Sequence, residues 1–259
     1  MGIYDRDYYR EPQRGGFASV RPWSVTTCLL VINIAIFIID RMLQQSYPDD
    51  FSYGNFPKTL ASPIYEWGYF SLTMAVQHAQ IWRFITYQFL HASLGHLFFN
   101  MLGLFMFGPL VEGQLGSRRY LGFYLACGMA GPLMYGLLWV TKVMPLDASV
   151  HMIGASACIF GVLMAAAKVV PDMTITLLFP PIPITLKVLA YLYVAVSVFS
   201  LFRMGENAGA EPAHLGGALL GYLLIRNDHW LNFLVPARKA GASRRRRNAF
   251  RDWTRDPNH

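Results

Sequence analysis

The chain has 259 residues, of which 54% are hydrophobic and only 14% are charged, and its formal net charge is +7. Soluble globular domains have about a quarter of their residues charged. Because the uncharged residues form several long apolar runs, the composition excludes a typical soluble domain and predicts an all-α, polytopic membrane protein. The three cysteines lie in apolar runs at unrelated spacings, which predicts neither a disulfide framework nor a cysteine metal site.

A membrane-spanning helix needs about 20 predominantly apolar residues. By this criterion the sequence predicts six transmembrane helices, at residues 24–43, 94–112, 119–140, 151–170, 185–202 and 212–227. The segment before the first run is too long and too charged for a signal peptide, so we expect that run to remain as a span. The predicted domains are a polar cytoplasmic segment, a six-helix membrane domain and a basic cytoplasmic tail, at 1–23, 24–228 and 229–259.

Residues 44–93 separate the first two spans and are rich in aromatic side chains, including Trp67 and Trp82. Trp and Tyr favour the membrane–water interface. We therefore expect an interfacial loop of short helices in or near the outer leaflet, with a folded external loop as the alternative.

Basic residues concentrate at the amino terminus, at the turn around 117–119 and in the tail. Since cytoplasmic loops carry the excess of Lys and Arg, both termini are predicted to be cytoplasmic, and a bacterial plasma membrane is the expected location. We interpret the basic run at 238–251 as a solvated tail in preference to a lipid-binding segment. Nucleic-acid binding is not expected for a run beside a membrane.

Spans two, four and six all enter from the outer face and carry polar residues in their first turns: His96 and Asn100, Ser156, and His214. At ~1.5 Å per residue, these four side chains lie at a similar shallow depth. Ser156 alone is well explained as a small packing residue, but polar groups in a membrane are costly and tend to mark function. Four at one depth predict a site, whereas a transporter would need polar residues along a pore.

The residue types indicate nucleophilic catalysis. Ser156 is a candidate nucleophile that needs a base, and His214 is the histidine placed to accept its proton. No carboxylate is expected to join them, because Asp147 lies in a loop, Asp172 lies at the inner end of span four and Glu211 is expected at the surface. The sequence therefore predicts a Ser–His dyad.

An oxyanion needs hydrogen-bond donors as well. His96 and Asn100 are four residues apart and so share one helix face, where the Ser156 N–H could join them. His91 and Gln88 would add polarity that helps to hold water, although His91 is interpreted as structural rather than catalytic. No metal or other cofactor is expected, because no acidic or thiolate ligand accompanies the histidines.

Small residues predict close helix packing beside this site. Gly217 and Gly221 follow His214 at the same helix face, three and seven residues on. On span four, Gly154 and Gly161 could offer the matching surface. Phe160 is expected to buttress the histidine ring.

Four motifs occur in a characteristic order across residues 24–227. They are Trp82-Arg83-x-x-Thr86-x-x-Phe89-x-His91, His91-x4-His96-x3-Asn100, Gly154-x-Ser156, and Ala213-His214-x-x-Gly217-x3-Gly221. Each is weak alone, but in this order and with six spans the chain resembles the rhomboid intramembrane serine proteases of the bacterial six-span type.

The resemblance implies that Ser156 is the nucleophile, His214 the base, and His96 and Asn100 the oxyanion stabilisers. It also implies structural roles for Trp82 and Arg83 in the interfacial loop and for Glu112 at the inner end of span two. The partners it implies are transmembrane protein substrates within the lipid bilayer, entering past span five and the 203–211 cap.

The chain departs from the family at Ala157, where the family usually has glycine directly after the serine. The added methyl group is expected to narrow the oxyanion pocket or shift the local turn. The alternative function is therefore a catalytically inactive rhomboid-like protein that binds client transmembrane helices.

Overall fold

The computed structural model describes residues 23–44, 62–177, 181–203 and 210–234. These ranges contain eight α-helices and one short two-stranded antiparallel sheet. The helices are α1 Val25–Gln44, α2 Pro63–Gly68, α3 Arg83–Thr86, α4 Leu94–Leu115, α5 Ser117–Thr141, α6 Ser156–Val169, α7 Leu186–Arg203 and α8 Glu211–Arg226. A π-helical turn at Thr73–Gln77, 3₁₀ turns at Tyr87–Phe89 and Asp228–Leu234, and strands β1 Thr174–Thr176 and β2 Pro183–Thr185 complete the described elements.

Helices are found at all six predicted span positions. Four of them, α1, α4, α5 and α7, are long and apolar enough to cross a membrane. This makes the chain an integral, multi-pass membrane protein. At 14 and 16 residues, α6 and α8 are shorter than a full span requires, so the crossing by all six helices stays a prediction.

Helix α6 begins at Ser156, five residues later than the predicted start of span four. The preceding residues form a loop because Gly154 has a φ angle of +120°, a conformation that a right-handed helix cannot contain. The predicted apolar run is therefore part loop and part helix, and the serine occupies the first helical position.

Glu112 joins the ends of three helices. Its carboxylate accepts hydrogen bonds, both of 2.9 Å, from the backbone N–H groups of Val25 and Thr26. These N–H groups lie at the start of α1 and therefore have no partner within the helix. The Ser117 hydroxyl at the start of α5 donates to the same carboxylate at 2.7 Å. Glu112 therefore fixes one end of α1 and α5 relative to α4.

The segment between α1 and α4 contains short helices, as the sequence predicts, and a buried arginine holds it together. The Arg83 guanidinium donates to the carbonyl oxygens of Tyr69 and Glu66, the latter at 2.7 Å, and lies over the Tyr69 ring. Trp82 stacks on Trp67 with ring centroids 6.0 Å apart and donates from its indole N–H to the Trp67 carbonyl. Both tryptophans are exposed to the surroundings, and the position of this segment in the bilayer stays a prediction.

Helices α6 and α8 are in backbone contact in the centre of the fold. A Cβ on Gly221 would lie 2.4 Å from the Cα of Gly161, and one on Gly161 would lie 2.9 Å from the Gly217 carbonyl oxygen. Glycine is required at such separations because any side chain would displace a backbone. Gly154 takes no part in this contact, contrary to the sequence-based expectation, because it lies in the loop before α6 beside His96.

Several sequence-based expectations fall outside the described residues. They concern the amino-terminal segment before residue 23, the cap at 204–209 and the basic tail beyond residue 234.

Candidate active site

The loop before α6 is held by main-chain hydrogen bonds. Phe70 and Met152 form an antiparallel bridge, with N–H to O=C distances of 3.0 and 2.7 Å. The Gly154 N–H donates to the Tyr87 carbonyl oxygen at 2.9 Å. These bonds fix the loop against the segment that precedes α4, so the position of the first residue of α6 is fixed as well.

Ser156 of α6 and His214 of α8 form a hydrogen-bonded pair. His214 Nε2 lies 2.9 Å from Ser156 Oγ. The Phe160 ring, one turn along α6, lies parallel to the imidazole at 6°, with centroids 4.4 Å apart. The close α6–α8 packing thus brings a hydroxyl, a basic nitrogen and a ring that holds the imidazole plane into one place, which is the arrangement that nucleophilic catalysis requires.

Glu211 also contacts His214, a contact that the sequence does not predict. Its Oε2 lies 3.2 Å from His214 Nδ1, and the Glu211 side chain is only 12% exposed. The expectation that Glu211 sits at the surface, away from the ring, is therefore wrong. The first turn of α8 turns this side chain inward, towards a residue three positions further along the same helix.

The two residues predicted to bind an oxyanion lie beside Gly154. A Cβ on Gly154 would lie 2.7 Å from His96 Nε2 and 3.9 Å from Asn100 Nδ2. The Asn100 amide donates to the His96 carbonyl oxygen at 2.9 Å, which holds it on the face of α4 that points towards α6. His96 Nε2 and Asn100 Nδ2 thus border the same small space directly before Ser156. The Ser156 N–H is at the start of α6 and has no partner within the helix.

His91 is buried beside this space, with only 3% of its surface exposed. Its ring meets the His96 ring edge-on, with centroids 5.1 Å apart. Burial, with a smaller contribution from His96, lowers the pKa of His91 to about 3, so the ring is neutral at physiological pH. Arg41 of α1 donates to the carbonyl oxygens of His91 and Ala92, which anchors the entry to α4.

Gln88 does not supply polarity to the site, contrary to expectation. Its amide donates to the carbonyl oxygen of Phe84 at 2.8 Å and to that of Leu125 at 3.4 Å, and it accepts from the Cys158 thiol at 3.3 Å. The side chain is fully buried against α5. Its hydrogen bonds join α5 and α6 to the segment before α4.

The methyl group of Ala157 lies away from the space beside His96. The residue is 1% exposed and packs with Phe70, Tyr87 and Ala213, facing Gly131 of α5. The expectation that this methyl narrows the oxyanion pocket is therefore not supported. The position whose missing side chain keeps that pocket open is Gly154.

Ser197 of α7, a hydroxyl residue that is 3% exposed, is not among the residues predicted from the sequence. Its side chain lies near the Glu211 carboxylate and favours the charged form of that group. The signal for Glu211 was its spacing of three residues before His214. No comparable signal marked Ser197 within an apolar helix. Within the described ranges, no three His, Cys, Asp or Glu side chains converge in a way that could hold a metal ion.

Comparisons with known proteins match the chain to a family model and to several curated relatives. The family model described as "Rhomboid domain" matches residues 78–229, more than half of the chain. RHOMBOID-like protein 4 of Arabidopsis thaliana is 27% identical over 88% of this chain and 60% of its own length.

Two further relatives match a shorter part of the chain. Rhomboid protease AarA of Providencia stuartii is 30% identical over 55% of this chain and 54% of its own length. Rhomboid protein 1, mitochondrial, of Saccharomyces cerevisiae is 33% identical over 52% of this chain and 38% of its own length. The chain thus spans less than two thirds of the length of each of these three relatives.

Proposed function

Because the chain belongs to the rhomboid family, we propose that it is an intramembrane serine endopeptidase that cleaves transmembrane segments of membrane proteins near the outer surface. The observation that carries this proposal is the hydrogen bond of 2.9 Å between Ser156 Oγ and His214 Nε2. A partly buried serine without a base would be an ordinary packing residue. A serine whose hydroxyl faces an imidazole nitrogen is poised to lose its proton on attack.

In the proposed reaction, Ser156 Oγ attacks the carbonyl carbon of the scissile peptide while His214 Nε2 takes its proton. His96, Asn100 and the Ser156 N–H donate hydrogen bonds to the oxyanion that forms on the carbonyl oxygen. His214 then gives the proton to the leaving amine nitrogen, and the acyl group remains on Ser156. Water then attacks the carbonyl carbon of the acyl-enzyme while His214 takes its proton. His214 returns the proton to Ser156 Oγ as the carboxylic acid product leaves.

The proposed topology has six spans with both termini cytoplasmic and residues 24–228 as the membrane domain. It places the starts of α4, α6 and α8 at the outer face, so the reacting groups lie at one shallow depth. The exposed Trp67 and Trp82 would then lie at the membrane–water interface. A bacterial plasma membrane is the location that we propose.

The test uses purified full-length protein in liposomes with a fluorogenic transmembrane peptide. We expect cleavage by the wild type and none by Ser156→Ala, and we expect a serine-reactive fluorophosphonate to label only the wild type. Absence of both cleavage and labelling in a folded wild type would overturn the proposal. If Ala157→Gly then restored turnover, the chain would be an inactive rhomboid-like binder of client helices.

A further inference from the structure

We propose that Glu211 is a positioning residue for His214, so that Ser156, His214 and Glu211 act as one hydrogen-bonded line rather than as a dyad. This inference rests on the proposed hydrolase function and deepens it. It assigns to this chain a third group that determines which imidazole nitrogen carries the proton.

The geometry places the two partners of the imidazole at its two different nitrogens. Glu211 Oε2 lies 3.2 Å from Nδ1, and Ser156 Oγ lies 2.9 Å from Nε2. Both ring and carboxylate are mostly enclosed, at 17% and 12% exposure. One ring therefore bridges a carboxylate and a hydroxyl in a partly dehydrated place, where such contacts are stronger than in water.

Two further features of its surroundings favour the charged form of the Glu211 carboxylate. Glu211 is in the first turn of α8, where the helix dipole favours negative charge. The buried Ser197 side chain on α7 lies near it and also favours its charged form. Interaction with the helix dipole alone would not require the carboxylate to point inward towards a ring. The contact with His214 therefore explains its orientation.

A charged carboxylate can only accept hydrogen bonds, so it selects the tautomer in which Nδ1 carries the proton. Nε2 then holds the free electron pair, which is the form that can accept the Ser156 proton. When the imidazolium forms, the carboxylate lies against its positive charge. The parallel Phe160 ring fixes the plane of the imidazole but does not distinguish its nitrogens. Glu211 and Phe160 therefore supply different constraints.

Other described groups near the imidazole do not offer the same constraint. His96 of α4 lies beside Gly154, where its Nε2 would be 2.7 Å from a Cβ on that glycine. Tyr193 of α7 meets the Phe160 ring edge-on, with centroids 5.7 Å apart. Within the described residues, Glu211 is the acidic side chain in contact with His214.

The first experiment reads the tautomer and needs no proteolysis. Full-length protein labelled with ¹⁵N in its histidine rings is measured by NMR in detergent, and the His214 signals are assigned with His214→Asn. We expect wild type and Glu211→Gln to keep the proton on Nδ1, because glutamine can still accept there. We expect Glu211→Leu to lose that preference. An unchanged His214 tautomer in Glu211→Leu would overturn the inference.

The second experiment separates turnover from binding. We expect Glu211→Leu to lower kcat at least about tenfold with KM within about twofold, since the lost interaction matters most in the transition state. Glu211→Gln should fall between wild type and Glu211→Leu, because it keeps the hydrogen bond but not the charge. Ser197→Ala should show a smaller loss in the same direction.

Asp172→Asn is the matched control, because it removes one exposed negative charge from the loop after α6 and should leave kcat unchanged. If Glu211→Leu matches wild type in kcat at equal thermal stability, Glu211 has no positioning role. If wild type itself fails to cleave or to react with a fluorophosphonate, the hydrolase proposal fails, while the ring nitrogen signals still decide whether Glu211 orients His214.

Discussion

The carbonyl oxygen of Ala157 lies where a side chain on Gly217 would have to be, since a Cβ built there would be 1.9 Å from that oxygen. Replacing a glycine in a helix by alanine ordinarily stabilises the helix by about 1 kcal/mol. We expect the opposite here. Gly217→Ala should push α8 from α6, separate His214 from Ser156 and cost on the order of a hundredfold in rate.

The measurement compares initial rates and melting temperatures in one detergent. Gly95→Ala is the control for stability, because its added methyl meets only Ser93 Oγ at 3.9 Å. Unchanged rate and melting temperature in Gly217→Ala would mean that the α6–α8 contact is looser than described.

Ser156→Ala and His214→Ala should each abolish cleavage, and the double variant should be no slower than either single variant. Groups that act as one unit are non-additive, because removing either one disables the same proton transfer. Rates of all three variants on one peptide, measured above background hydrolysis, check this. Residual activity that drops further in the double variant would show that the two residues act separately.

Gly154→Ala should inactivate the protein although no proposed reacting group is changed. The φ angle of +120° is strained for alanine, and the new methyl would lie 2.7 Å from His96 Nε2. We expect loss of turnover with His96 and Asn100 displaced from the space beside Ser156. Labelling by a small fluorophosphonate should survive better than peptide cleavage, and equal cleavage by variant and wild type would place the oxyanion elsewhere.

Asn100→Ala should lower kcat more than it raises KM. Its amide nitrogen borders the space where the oxyanion is proposed to form, and removal of one such donor typically costs ~2.7–4 kcal/mol. The loss corresponds to roughly a hundredfold to a thousandfold in kcat, and less if His96 compensates. If Asn100→Ala cleaves as fast as the wild type, Asn100 is only a structural residue of α4.

The free energy of unfolding should fall as the pH drops below about 6.5, because the buried His91 and the partly buried His151 resist protonation in the folded state. His151 is stacked on the Tyr69 ring, and burial, with the nearby Arg83 charge, lowers its pKa from 6.5 to about 4. At a pH between these two pKa values, His151 binds a proton in the unfolded chain but not in the folded chain. Each such histidine contributes a slope of up to about 1.4 kcal/mol per pH unit.

Melting temperatures between pH 7 and pH 4.5 test this. His151→Gln should show a shallower decline than the wild type, with the remaining decline due largely to His91. His78→Gln, which changes an exposed histidine, should follow the wild type. Equal slopes for His151→Gln and the wild type would contradict a neutral, partly buried His151.

The sequence predicted the helices because long apolar runs leave few alternatives in a membrane. It placed the start of α6 too early, since hydropathy does not register the positive φ angle of Gly154. The proximity of Ser156 and His214 could be expected from their shared depth. The inward turn of Glu211 could not be predicted in this way. Hydropathy alone predicts that an acidic residue at a helix start is exposed to solvent, whereas the Glu211 side chain is only 12% exposed and contacts His214. Neither the residue pattern, from which the dyad was predicted, nor the family resemblance pointed to a third residue.

In the loop directly before Ser156, the hydrogen bonds that join Phe70 to Met152 and Gly154 to Tyr87 use backbone atoms only. Such bonds place few demands on side-chain identity. Related chains could therefore exchange most side chains on the outer surface of this loop, and with them the preferred peptide sequence, while the nucleophile stays where it is. Divergence in substrate choice would then need no change in the reacting groups, and two relatives with dissimilar outer loops could share one cleavage chemistry.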